Sequence, residues 1–127
     1  MKKAKSDLTK FSLRLLDKSY NVTKGAVKPN VHNSPLHELL KFMVAFRLMK
    51  DGHSIVTEAI FAGGRGRADI FVLDTMQVFE ILVSETPEQF KNKLEKYPPE
   101  VDVIPIFAKD EIKDLPQSLR NAIGTPV

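Results

Sequence analysis

Residues 66–83 read Gly66-Arg67-Ala68-Asp69-Ile70-Phe71-Val72-Leu73-Asp74-Thr75-Met76-Gln77-Val78-Phe79-Glu80-Ile81-Leu82-Val83. Two apolar runs, 68–73 and 78–83, flank the turn 74–77, so the stretch reads as a β-hairpin. Runs that are apolar almost throughout, without strict alternation, are the pattern of central strands covered on both faces. Each run nevertheless holds one acid, Asp69 near the start of the first and Glu80 in the middle of the second. A two-residue turn at Asp74-Thr75 sets Asp69 directly opposite Glu80. Like charges facing each other across a sheet are destabilising, and burial makes the repulsion worse. Unless the register slips or both acids lie at solvated strand ends, something must offset it: a shared proton, a basic partner or a divalent cation. Mg²⁺, which takes few carboxylates and completes its shell with waters and phosphate oxygens, suits two converging acids.

Outward from the hairpin, Ala62-Gly63-Gly64-Arg65-Gly66-Arg67 is a flexible basic loop, and residues 55–61 alternate and are β-branched, a strand. Upstream, Ser34-Pro35 starts a helix, Ser as N-cap and Pro at the first helical position. Leu36, Leu39, Leu40, Met43, Val44, Phe46, Leu48 and Met49 give that helix a wide apolar face, and Gly52 stops it. Downstream, Thr86-Pro87-Glu88-Gln89 opens another helix with a capping box, its stripe Phe90, Leu94 and Tyr97, its stop Pro98-Pro99. Residues 101–107 form a fourth strand, and a short helix around 116–123 closes the domain. The order from residue 34 is α-β-β-β-α-β-α, an α/β domain with a central mixed sheet of about four strands flanked by helices. Residues 1–33 read as a basic N-terminal arm and linker: a weak helix or short strand around Phe11, Leu13, Leu15 and Leu16, then a Gly-, Pro- and Asn-bearing stretch over 21–33. The domain proper is expected at 34–127.

At 127 residues the chain has the size of one domain, and its balance of 43% hydrophobic and 28% charged residues is that of a globular protein. The absence of cysteine removes disulfides, thiolate metal sites and a cysteine nucleophile, and it fits a reducing cytoplasm. No apolar run approaches the ~20 residues a membrane span needs, and no apolar core follows the basic start as a signal peptide requires. The net charge of +3 hides an asymmetry. Residues 1–31 carry eight basic side chains, Lys2, Lys3 and Lys5 among them, against two acidic ones, while the other 96 residues carry 11 basic and 14 acidic. A basic arm on an acidic body is a layout of polyanion binders, and equally that of a solubilising tail. His32, His37 and His53 lack the spacing of a zinc site, and His37 reads as a surface residue. No phosphate-cradling glycine loop or serine-hydrolase elbow is present.

Glu38 in a first helix, Gly52 ending it, a strand, a Gly/Arg-rich loop, Arg67-Ala68-Asp69-Ile70 and then a strand with a central Glu80 resemble the PD-(D/E)XK, restriction-endonuclease-like nuclease superfamily. Within it the likeness is nearest to the archaeal Holliday-junction resolvases and related archaeal or viral nucleases, over roughly residues 34–107. The resemblance implies metal-dependent hydrolysis of phosphodiester bonds in structured or double-stranded DNA. Asp69 and Glu80 would hold Mg²⁺ or Mn²⁺, and Glu38 would reach the same site from its helix. One position departs: the family's catalytic lysine lies two residues after the strand Glu, where this chain has Leu82. Some members supply the lysine from the following helix, and of Lys91, Lys93 and Lys96, Lys93 lies near the helix's apolar axis and is the candidate. Arg65, Arg67, Ser84, Lys2, Lys3 and Lys5 are the expected nucleic-acid contacts. Cutting both strands takes two sites, hence a homodimer is expected. The rival reading, which Leu82 favours, is a catalytically inactive nuclease-fold domain that binds nucleic acid or a protein.

Overall fold

The structure is a computed structural model that describes residues 2–17, 25–113 and 116–122. Ten elements follow in order: α1 (Lys2–Leu15), α2 (Pro35–Lys50), β1 (Ile55–Ile60), a 3₁₀ turn (Ala62–Gly64), β2 (Arg67–Val72), β3 (Gln77–Leu82), α3 (Pro87–Leu94), β4 (Asp102–Phe107), α4 (Ala108–Ile112) and α5 (Gln117–Ala122). Both predicted helix starts are built from their local signals. The Ser34 side chain accepts the His37 N–H at the head of α2, and Thr86 and Gln89 form a complete reciprocal capping box on α3.

The sheet runs β1-β2-β3-β4, with β1/β2 and β2/β3 antiparallel and β3/β4 parallel. The chain is thus α/β with a four-stranded mixed sheet flanked by helices. Its central strands are fully buried through Ile70, Phe71, Val72, Leu73 and Val78, which is why they read as unbroken apolar runs. The hairpin turn covers 73–76, one residue earlier than the composition suggests. There Asp74 is buried, taking the Ser54 N–H at 2.9 Å and pairing with His53 Nδ1 at 2.8 Å, so the hairpin tip is fastened to the end of α2.

Ala45 of α2 packs with Ile55, Ile70 and Val72, and Leu36 and Leu40 pack with Ile81 and Ala108. A separate cluster joins Leu16, Val56, Phe61, Phe71, Leu73, Val78 and Tyr97. Along β2, Phe71 points opposite to Ile70 and Val72, so the sheet is covered on both sides.

The described residues before 34 belong to this packing. Of the two alternatives for the patch around Phe11, helix or strand, the structure has the helix, and it extends back to Lys2. Leu16 bridges Phe61, the Asp17 N–H reaches the Ile60 carbonyl at 2.8 Å, and Ser12, fully buried, donates to the Leu73 carbonyl at 2.7 Å. A polar Ser at the buried contact, with Leu8, Phe11 and Leu13 left exposed, blurs the helical period. The described part of the expected linker runs beside β1, with the Gly25 N–H on the Ile55 carbonyl at 3.0 Å and the Lys28 N–H on Thr57 Oγ1 at 2.8 Å. Helix α4 has no counterpart in the sequence reading, and Ile123, expected in the last helix, lies outside the described residues. Among the described residues no helix is long and apolar enough to cross a membrane.

Candidate active site

The β2/β3 ladder pairs Val72 with Gln77, Phe71 with Val78 and Ile70 with Phe79. One further step sets Asp69 against Glu80, and there the ladder ends: Asp69 Oδ2 accepts the Ile81 N–H at 2.8 Å. The two carboxyl groups lie close enough for a hydrogen bond between them and for each charge to act on the other. Burial first, and then the adjacent Asp69 charge, pushes the Glu80 carboxyl up to about 10. Burial also opposes ionisation of Asp69, but the bonds from His37 and Glu80 outweigh it and hold Asp69 below the ordinary carboxylate range. Glu80 is only 4% exposed, and its Oε1 is buried without a hydrogen-bond partner among the described residues, as is Glu58 Oε2.

Behind this pair lies a charged network that α2 contributes. His37 is buried, not on the surface as its sequence context suggests. Its Nε2 lies 3.2 Å from Asp69 Oδ2 and its Nδ1 2.6 Å from Glu38 Oε2. Burial disfavours its charged form, yet the contacts with Asp69 and then Glu38 prevail and raise its pKa. Glu38 also takes the Asn30 N–H at 2.7 Å, Asn33 Nδ2 at 3.2 Å and Lys41 Nζ at 2.5 Å. Although burial works against it, these donors keep Glu38 below its usual value. Lys41 is 1% exposed, donates to the Lys28 carbonyl at 2.7 Å, and has Glu58 Oε2 at 3.7 Å. Glu58 stands between the pairs Thr57/Ile70 and Ala59/Ala68, opposite Asp69 in the β1/β2 register. Its φ of 51° breaks the strand's alternation, and Asn30 Nδ2 holds its Oε1 at 2.7 Å.

Sequence reasoning missed His37, Lys41, Glu58 and Asn30. A signal existed in the helix, where His37 and Lys41 are four residues apart and share one face. None existed for Glu58, whose left-handed backbone depends on tertiary partners.

Asp69 and Glu80 open onto a cleft of about 330 Å³ that Arg67, Lys93, Lys96 and His37 also line. The structure brings Asp69, Glu80, Arg67 and Lys93 together there, and it joins Glu38 to them through His37. Lys93 Nζ donates to Glu85 Oε1 at 3.0 Å, holding Glu85 low against its burial, and its charge also acts on Glu80. Gly66 is needed at the rim: its φ is 106° and a Cβ there would meet the Tyr97 ring at 3.4 Å. Tyr97 in turn donates to the Arg67 carbonyl at 2.9 Å and so fixes the start of β2.

Other predicted residues lie elsewhere. Arg65 is exposed on the loop and does not line the cleft. Ser84, beyond the end of β3, is exposed on a neighbouring groove with Phe107 and Lys109. Leu82 is buried against Phe107 of β4, and Lys91 is exposed on α3. Lys2, Lys3 and Lys5 fall on α1, with side chains outside the described set. Among the described residues no three His, Asp or Glu side chains converge to hold a metal ion by themselves. Comparison with protein-family models, with curated proteins and with solved structures returned no significant match.

Proposed function

We propose that this chain is a Mg²⁺- or Mn²⁺-dependent DNA endonuclease of restriction-endonuclease-like fold, hydrolysing phosphodiester bonds in structured or double-stranded DNA. One observation carries the reading: the buried Glu80 and the half-buried Asp69 meet on a cleft that Arg67, Lys93 and Lys96 also line, and Glu80 Oε1 has no hydrogen-bond partner among the described residues. Structural acids are normally satisfied by protein donors, as Glu38 is here. A cation between the two carboxyl groups would relieve both their repulsion and the orphaned oxygen. Mg²⁺ commonly uses only one or two protein carboxylates, so Asp69 and Glu80 fit it without a third protein ligand. When bound, such an ion polarises the scissile phosphate and lowers the pKa of an attacking water.

The remaining tasks fall to the chain's own side chains. Arg67 and Lys96 at the rim suit phosphate oxygens, contacts that read the backbone and not the bases. His37 fixes the orientation of Asp69. Lys93, restrained by Glu85, brings positive charge toward Glu80 from α3 and stands in for the lysine that Leu82 replaces. Ser84, facing another groove, has no part in this step. For two cuts the reading calls for a homodimer, and the exposed Phe42, Met43 and Phe46 of α2 offer an apolar face for one.

The second reading, a domain that binds nucleic acid without cutting it, is favoured by the buried Leu82 and by the engagement of Lys93 with Glu85. Incubation of plasmid, hairpin and four-way-junction DNA with Mg²⁺ or Mn²⁺ separates the two. Cleavage that needs the metal and falls by about 100-fold or more in Asp69→Ala is expected. Salt-sensitive binding with no cutting moves the assignment to the second reading, and neither binding nor cutting excludes both.

A further inference from the structure

Four carboxyl groups, Glu38, Glu58, Asp69 and Glu80, gather around the end of the β2/β3 ladder, and they divide into two differently furnished halves. Glu38 has no acceptor capacity to spare. Its Oε1 takes the Asn30 N–H and Lys41 Nζ, and its Oε2 takes Asn33 Nδ2 and His37 Nδ1. Those four donors use the roughly four lone-pair sites of a carboxylate. Glu58 is held by Asn30 Nδ2 on one oxygen, while its other oxygen, buried and without a hydrogen-bond partner among the described residues, faces the Lys41 ammonium at 3.7 Å. Asn30 therefore clamps both acids, through its backbone to Glu38 and its side chain to Glu58. Lys41, 1% exposed, lies between them with its charge fixed by the Lys28 carbonyl at 2.7 Å. The other half, Asp69 and Glu80, has no lysine between its acids among the described residues: His37 Nε2 reaches Asp69 alone at 3.2 Å, Lys93 is tied to Glu85, and Glu80 Oε1 has no hydrogen-bond partner there.

We propose that Lys41 is a built-in cation, occupying with its ammonium group the position between Glu38 and Glu58 that a second metal ion would take. The protein accordingly binds a single divalent ion, at Asp69 and Glu80. This rests on the reading of that pair as a divalent-ion site. Glu38 then is a positioning residue and not a ligand: anchored by Lys41 and Asn30, it holds His37 Nδ1, and His37 Nε2 holds Asp69 Oδ2. Because Oδ2 also takes the Ile81 N–H, the orientation of Asp69 is set from two sides before any ion arrives. A fixed ammonium keeps a positive charge between those carboxylates whether or not metal is present, whereas a second labile ion would leave them repelling each other whenever it departs.

Mn²⁺ titration followed by calorimetry, with free Mn²⁺ counted by electron paramagnetic resonance, tests this on the whole chain. The wild type should take up one ion per chain. Glu58→Gln, isosteric and still able to bond Asn30, should also take up one, with affinity changed by less than about 3-fold, whereas loss of a true ligand costs far more than 10-fold. Lys41→Met, if folded by circular dichroism, should take up two, the second between the two carboxylates it leaves without a cation. If Lys41→Met does not fold, the wild type and Glu58→Gln decide alone. Two ions in the wild type, an ion lost in Glu58→Gln, or a folded Lys41→Met that still binds only one overturns the proposal and leaves the metal site at Asp69 and Glu80 standing. No ion bound to the wild type overturns that site as well.

Discussion

At the scale of single residues, an acid inside an apolar strand is the clearest message this sequence carries. Asp69 and Glu80 were legible because nothing about strand packing explains them, and a two-residue turn alone fixes their register. Their partners were not. Lys41 and Glu38 are ordinary helix residues until Asn30, Lys28 and Glu58 arrive from distant segments, and Glu58 needs a backbone conformation that no local signal encodes. The raised pKa of Glu80 has a measurable consequence for stability. An unfolded Glu80 releases its proton near 4.5, whereas the native carboxyl keeps it to about 10. Between those values the native state binds more protons than the unfolded state, so this group's contribution to stability falls as pH rises. Glutamine at 80 preserves the hydrogen bond to Asp69 and does not titrate. Metal-free Glu80→Gln should therefore melt several degrees above the wild type at pH 8, a gain on the order of 2 kcal/mol, and match it at pH 4. Scanning calorimetry at the two pH values checks this, and an equal or lower melting temperature at pH 8 would contradict it.

Among the elements, those with self-contained signals were readable. Ser34-Pro35 and the Thr86–Gln89 capping box start helices by contacts within one turn, and the hairpin follows from two apolar runs and a short turn. Helix α1 was not, because its contact face mixes Ser12 with Leu15 and Leu16, and tertiary contacts rather than an apolar stripe hold it. What looked like an arm and linker is thus tied to the sheet at Leu16, at Asp17 and along residues 25–30. Leu16 is 3% exposed and packs with Phe61 and Phe71. Leu16→Ala should cost about 2–5 kcal/mol, read as a lower urea midpoint with an unchanged slope. A detachable arm would show almost no change.

Over the whole molecule, the modest net charge of +3 resolves into opposed local fields. Acids are gathered at the floor of one cleft, and Arg67, Lys93 and Lys96 stand around it. The proton that Glu80 retains, its carboxyl being pushed up by burial and by Asp69, lowers the negative charge beneath that rim. If Asp69 and Glu80 form the proposed metal site, a divalent ion bound there would displace that proton, and binding would be coupled to proton release. Calorimetric titration of Mn²⁺ at pH 7.5, repeated in buffers of different ionisation enthalpy, counts the protons directly. The wild type should release about one proton per ion bound, and Glu80→Gln should bind more weakly and release almost none. Binding without proton release, or no binding at all, would contradict a metal site built on Asp69 and Glu80.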